Sequence, residues 1–214
     1  MANRNNIVIV LEGPTNSGKT SCCKSIKDKL TKKNIPCFNL NDYLDTDKHV
    51  TEVKKITTLK ENSLDGIEEL LLYSFRLKRK LFYLQKLLEE NTNSVILIDR
   101  FYISILSLIV GVRKISPTLV KALLLSILEG FEPDLLILLD IEISKLKLRQ
   151  KSKEKNRKFS DIDLYIDDYR TAFKQTYDEL TIDKQYINTT EIPLNFVVNK
   201  IYNQILIKYE KCNI

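Results

Sequence analysis

Short unbroken apolar runs alternate along this chain with longer segments whose apolar residues recur every three or four positions. Ile7-Val8-Ile9-Val10-Leu11, Val95-Ile96-Leu97-Ile98 and Leu135 to Leu139 are apolar throughout and of strand length. They predict strands buried on both faces. Cys37 to Leu40 and Tyr186-Ile187-Asn188 read as weaker strands. Helical spacing covers 21–33, with Ile26 and Leu30 four apart, and 63–90, where Ile67, Leu70, Leu71, Phe75, Leu81, Leu84 and Leu88 carry the period behind a cap at Ser63. The segment 116–128 enters through Pro117, a favourable first-turn residue. Further helices are expected over 144–151, 161–180 and 195–208, while Asn41 to Asn62 is polar and shows no clear period. This alternation predicts an α/β fold with a parallel sheet covered by helices on both faces. Ligands in such sheets lie beyond the carboxyl ends of the strands. That rule lines up Glu12, the turn after it, Asp99-Arg100 and Asp140 along one rim. No linker, repeat or low-complexity block interrupts residues 1–214, which therefore read as a single domain.

The turn after the first strand carries the chemistry. Gly13-Pro14-Thr15-Asn16-Ser17-Gly18-Lys19-Thr20 spells G-x-x-x-x-G-K-T between a strand and a helix, the context this phosphate-gripping loop requires. Its glycines let successive N–H groups turn towards one anion, and the helix N-terminus adds its positive end. Gly13, Asn16, Ser17, Gly18, Lys19, Thr20 and Ser21 are the expected ATP cradle. Lys19 reaches the β- and γ-phosphates and Thr20 ligates Mg²⁺. Asp99, closing a buried strand, is the expected second support of the Mg²⁺ hydration shell, and Arg100 beside it can clamp a phosphate bidentately. Between two helices, Arg149 and the run Lys151-Ser152-Lys153-Glu154-Lys155-Asn156-Arg157-Lys158 suggest a basic flap at about 149–160 that neutralises a phosphoryl group in transfer.

Composition narrows the partners. A net charge of +6 suits an anionic substrate, but the lysines are scattered among carboxylates without interleaved aromatics, which argues against nucleic acid. The longest apolar stretch, 103–112, is too short to span a bilayer, and no leader-like segment precedes Ile7, so a cytoplasmic protein without membrane attachment is expected. Cys22, Cys23, Cys37 and Cys212 lack metal or disulfide spacing, and the lone His49 suggests no chemistry.

Five segments together resemble the thymidylate kinases, within the group of nucleoside-monophosphate and deoxynucleoside kinases. They are Leu11-Glu12-Gly13, the helix segment Leu71 to Arg79, Ile98-Asp99-Arg100-Phe101, Glu132-Pro133-Asp134 running into Leu135 to Asp140, and Tyr169-Arg170 through Tyr177. The resemblance implies the three-layer P-loop kinase fold with about five parallel strands, ATP and Mg²⁺ as cofactors, a small-molecule nucleotide acceptor (most simply dTMP) and a homodimer formed through the helical faces. It implies that Phe75 stacks on the acceptor base and Arg79, on the same helix face, bonds its edge; Leu72/Arg76 is the competing register. It further implies that Arg100 binds the acceptor phosphate, that Ser104 lies near the base, that Arg149 and Arg157 are lid arginines, and that Tyr177 lies near the acceptor pocket or packs in the core. Glu12 matches an acid that is a general base in nucleoside kinases and an organiser of metal or water in thymidylate kinases. Two positions depart from the usual thymidylate kinase pattern. Thr15 stands where an Asp is usual in the loop, and Phe38 to Tyr43 lacks the usual phosphate-gripping arginine. The acceptor thus stays open between a monophosphate and a nucleoside phosphorylated with Glu12 as base, with a non-catalytic ATP-binding protein as the third reading.

Overall fold

The computed structural model describes residues 5–58, 64–153 and 165–212. The apolar runs form β1 (Ile7–Glu12), β2 (Cys37–Asn39), β3 (Val95–Asp99), β4 (Leu135–Asp140) and β5 (Lys184–Asn188), all parallel in the order β2-β3-β1-β4-β5. β1, β3 and β4 are buried along their whole length, as their unbroken apolar sequences require. Register aligns Leu11 with Asp99 and Glu12 with Leu138, so the strand ends that carry polar residues finish at one edge.

Successive side chains leave each strand on opposite faces and build two cores. Val8, Val10, Ile96, Ile98, Leu136 and Leu138 pack on one side against α4 (Gly66–Glu90), α5 (Tyr102–Leu106), α6 (Pro117–Leu128) and α8 (Ile166–Glu179). Ile7, Ile9, Leu11, Val95, Leu97 and Ile137 pack on the other against α1 (Lys19–Lys32) and α9 (Leu194–Cys212). The result is the expected three-layer α/β arrangement. Each fully buried Leu or Ile contributes about 1.5–3 kcal/mol, which anchors the rim where the polar residues gather.

Two local readings change, and a third feature carried no signal in the sequence. The polar stretch after β2 is not irregular: α2 (Leu40–Leu44) and α3 (Lys48–Thr58) occupy it, with Asn39 capping the first through Asn41 N–H. Two short amphipathic helices of 5 and 11 residues give too few turns to declare a period. The cap of α4 is Asp65 rather than Ser63. Asp65 accepts from Ile67 and Glu68 N–H while Glu68 accepts from Asp65 N–H, a reciprocal capping box. Third, α5 runs straight into a π-helical segment, Ser107–Val112. There Gly111 lies so close to α8 that a Cβ would sit 2.3 Å from Cβ of Ala172. The remaining helix, α7 (Ile143–Lys153), follows β4 and leads towards the expected flap. Of that flap, residues 154–160, including Arg157, lie outside the described residues.

Candidate active site

The loop from Gly13 to Thr20 is shaped for an anion. Gly13 has φ 137° and a Cβ there would lie 2.1 Å from the Leu139 carbonyl oxygen, so only glycine fits. Gly18 has φ 104° and serves as the N-cap of α1 without any side-chain bond to the first turn. The helix's leading N–H groups at Lys19, Thr20 and Ser21 are therefore left for a ligand. Lys19 folds back over the loop, and its ammonium donates to the carbonyls of Gly13 at 2.9 Å and Pro14 at 2.7 Å and to Ser17 Oγ at 3.3 Å. Burial, and then the charge of Arg100, push its pKa down to about 7, against the pull of Asp99 and Glu12.

Thr20 Oγ1 donates to Asp99 Oδ2 at 2.5 Å, which brings the two expected Mg²⁺ residues together. Asp99 Oδ1 is buried and has no hydrogen-bond partner. An orphaned carboxylate oxygen beside the threonine of a phosphate loop fits a hydrated divalent cation. Among the described residues no cluster of three or more His, Cys, Asp or Glu could hold a metal by itself.

Arg100 takes the left-handed conformation at φ 66°, uncommon for a residue with a side chain. Its N–H still bonds Leu11 O at 2.9 Å. Its guanidinium donates to Ser104 Oγ at 3.3 Å, Tyr169 Oη at 3.2 Å and Thr15 Oγ1 at 3.2 Å. Thr15, in the departing loop position, thus bonds the arginine. Glu12 is fully buried, accepting from Phe101 N–H at 2.7 Å, Ser104 N–H at 3.2 Å and Ser104 Oγ at 2.5 Å. Oε1 meets the backbone N–H groups at the start of α5 and Oε2 the Ser104 hydroxyl, and together they tie that helix to β1.

Arg100, Ser104, Thr15, Thr20 and Asp99 line a cleft of about 480 Å³ whose far wall is α4. The face that α4 turns to the cleft is Tyr73, Arg76, Leu77 and Lys80. The expected Phe75/Arg79 register does not coincide with that wall. Phe75 is 41% exposed and not on the cleft wall. Arg79 is committed elsewhere, donating from Nε to Asp47 Oδ2 at 2.8 Å and resting on the rings of Phe82 and Tyr83. Arg76 of the competing register does face the cleft, although Leu72 does not line it. The physical reason is the buried stripe Leu70, Leu77, Leu84 and Leu87, which rotates Leu71, Phe75 and Phe82 outward. Arg76 Nε is buried without a partner, while its guanidinium lies 5.9 Å from the Tyr73 ring. Lys80 donates to the carbonyls of Asp99 at 3.2 Å and of Arg100. Burial and the charge of Arg76 bring its pKa down to about 8.

Sequence reasoning passed over Tyr73, Lys80 and Tyr169. The i, i+3, i+7 spacing of Tyr73, Arg76 and Lys80 beside the Leu70/Leu77/Leu84 stripe is the signal that could have found two of them. Tyr177 packs in the core with its ring 6.3 Å from that of Tyr186.

Arg149 reaches from α7 across the loop, donating to Thr189 O at 2.7 Å and Asn16 O at 3.3 Å. Asp140, on the same rim, is a fastening point. It accepts from Arg170 Nε at 2.7 Å and Nη2 at 2.8 Å and from Tyr186 Oη at 2.6 Å. Burial pushes its pKa up, but the Arg170 and Tyr186 bonds outweigh that and hold it below 3.8.

The chain is similar to known proteins along most of its length. The family model described as thymidylate kinase matches residues 11–201. A thymidylate kinase of Clostridium novyi (strain NT) is 28% identical over 204 residues, covering 92% of this chain and 95% of that protein. The crystal structure of thymidylate kinase from Ehrlichia chaffeensis shares the fold with a TM-score of 0.69 at 17% identity, covering 94% of this chain and 98% of that one. With the family model spanning both the phosphate loop and the rim it faces, this chain belongs to the thymidylate kinase family.

Proposed function

We propose that the chain transfers the γ-phosphoryl group of ATP to dTMP, giving dTDP. The observation that carries this reading is the common cleft. Thr15 and Thr20 of the phosphate loop, Asp99 bonded to Thr20, and the arginine–lysine wall of α4 line one space. A monophosphate is already a competent nucleophile, so the protein's task is to align two anions and neutralise charge. Lys19 and the α1 N-terminus hold the donor phosphates. Arg100, oriented by Ser104, Tyr169 and Thr15, holds the acceptor phosphate. Tyr73 and Arg76 face the acceptor base. Thr20 and Asp99 would hold hydrated Mg²⁺, which would supply positive charge against the donor phosphates. Arg149, which reaches the Asn16 carbonyl of the loop, lends positive charge to the transferred group. Glu12 acts by fixing α5 and Ser104, because three hydrogen bonds already occupy its oxygens.

Steady-state assays with Mg·ATP and either dTMP or thymidine test this directly. Turnover of dTMP with no turnover of thymidine is expected. Turnover of thymidine alone would replace this reading with a nucleoside kinase using Glu12 as base, and failure with a broad acceptor panel would leave a nucleotide-binding protein.

The exposed apolar stripe Ile67, Leu71, Phe75 and Phe82 on α4 supports assembly as a homodimer. Light scattering of Leu71→Glu checks it, with a shift from dimer to monomer expected. No helix among the described residues is long and apolar enough to cross a membrane, in keeping with work in the cytoplasm.

A further inference from the structure

The α4 wall presents two cations to the cleft, Arg76 and Lys80, and neither is ion-paired with a carboxylate among the described residues. Arg100 opposite them spends its guanidinium on neutral hydroxyls. A partly buried cation without a counter-ion is costly unless an anion arrives to meet it.

Lys80 has the more specific geometry. Its ammonium bonds the carbonyls of Asp99 and Arg100, the two residues at the mouth of β3. Asn41 Nδ2 reaches the same Asp99 carbonyl at 3.2 Å, so α2, α4 and β3 are knotted at that point. An ammonium has three donors, and two are used here. The third is left beside the Arg100 backbone, on the wall of the cleft that Arg100 also lines.

Resting on the dTMP reading above, we propose that Lys80 is a direct ligand of the acceptor's phosphate, acting with Arg100 to fix that phosphate in line with the donor. Lys80 then discriminates nucleotide from nucleoside: it contributes to binding only when the acceptor carries a phosphate.

The test is a cycle between the side chain and the ligand's phosphate. Affinities for dTMP and thymidine are measured by calorimetry, with Mg²⁺ and a non-hydrolysable ATP analogue present, for wild type, Lys80→Met and Lys80→Gln. Gln retains an amide donor for the Asp99 carbonyl and guards against a folding defect in the Met variant. A charge-assisted hydrogen bond predicts that dTMP affinity falls about 10- to 100-fold in both variants while thymidine affinity stays within about twofold. Equal losses for the two ligands would make Lys80 a support of the cleft and overturn the proposal, as would an unchanged dTMP affinity. A wild-type protein that turns over no dTMP would sink the parent reading, a result distinct from normal wild-type turnover with unaffected variants.

Discussion

Thr20 Oγ1 and Asp99 Oδ2 stand 2.5 Å apart although 79 positions separate them in the chain. The bond links the first turn of α1 to the end of β3, and the parallel β1–β3 register that aligns Leu11 with Asp99 makes it possible. The fold itself therefore brings the pair together.

Asp99→Asn keeps an acceptor for the Thr20 hydroxyl and removes only the charge. Melting should be nearly unchanged, while kcat falls about 10²- to 10³-fold, in the range of one lost electrostatic contact to the transferring group. The Mg²⁺ concentration for half-maximal rate should rise. A titration of rate against Mg²⁺ at saturating ATP reads both.

Arg76 and Arg79 lie one turn apart and should behave oppositely. Arg76→Ala removes a cleft cation and should raise the KM for dTMP at least about tenfold while leaving the KM for ATP within about twofold. Arg79→Ala breaks the Asp47 contact that holds α3 to α4 and should leave both constants close to wild type. Its effect should appear instead in faster proteolysis within residues 48–58.

Acid should loosen the sheet's β4–β5 side first. Asp140 titrates below 3.8 when folded, so its contribution is complete above that value and is lost as pH falls through the folded pKa. Arg170→Met should cost about 2 kcal/mol at pH 7, the worth of charged hydrogen bonds. The gap between variant and wild type should narrow towards pH 3. Urea unfolding at pH 7, 4 and 3 measures it.

Gly111→Ala would push a methyl group into Ala172 across the π-helical contact. Overpacking of this kind costs about 1–3 kcal/mol, or a fall in Tm of about 2–4 °C per kcal/mol in a domain of this size. Adding Ala172→Gly should recover part of the loss, which differential scanning calorimetry of the single and double variants would show.

The strands and the phosphate loop were legible because their signals are local. Unbroken apolar runs such as Val95 to Ile98, alternating with helical segments, have one explanation in an α/β chain, and G-x-x-x-x-G-K-T needs its glycines for reasons seen at Gly13. The face of α4 was not legible in the same way. Ile67, Leu71 and Phe75 carry as strong an apolar period as Leu70, Leu77 and Leu84, and which stripe turns inward depends on the sheet and α6 packing against it. Without that rotation Phe75/Arg79 and Leu72/Arg76 look alike. The partners of Arg100 were equally hidden, since Thr15, Ser104 and Tyr169 converge from three separate parts of the chain.

Lys19 spends the three donors of its ammonium on two carbonyls and a hydroxyl of its own loop. Entry of a triphosphate is consequently an exchange of ligands around a tethered cation. The carbonyls that hold the ammonium offer dipoles where a phosphate would offer full negative charge, so the exchange favours the phosphate.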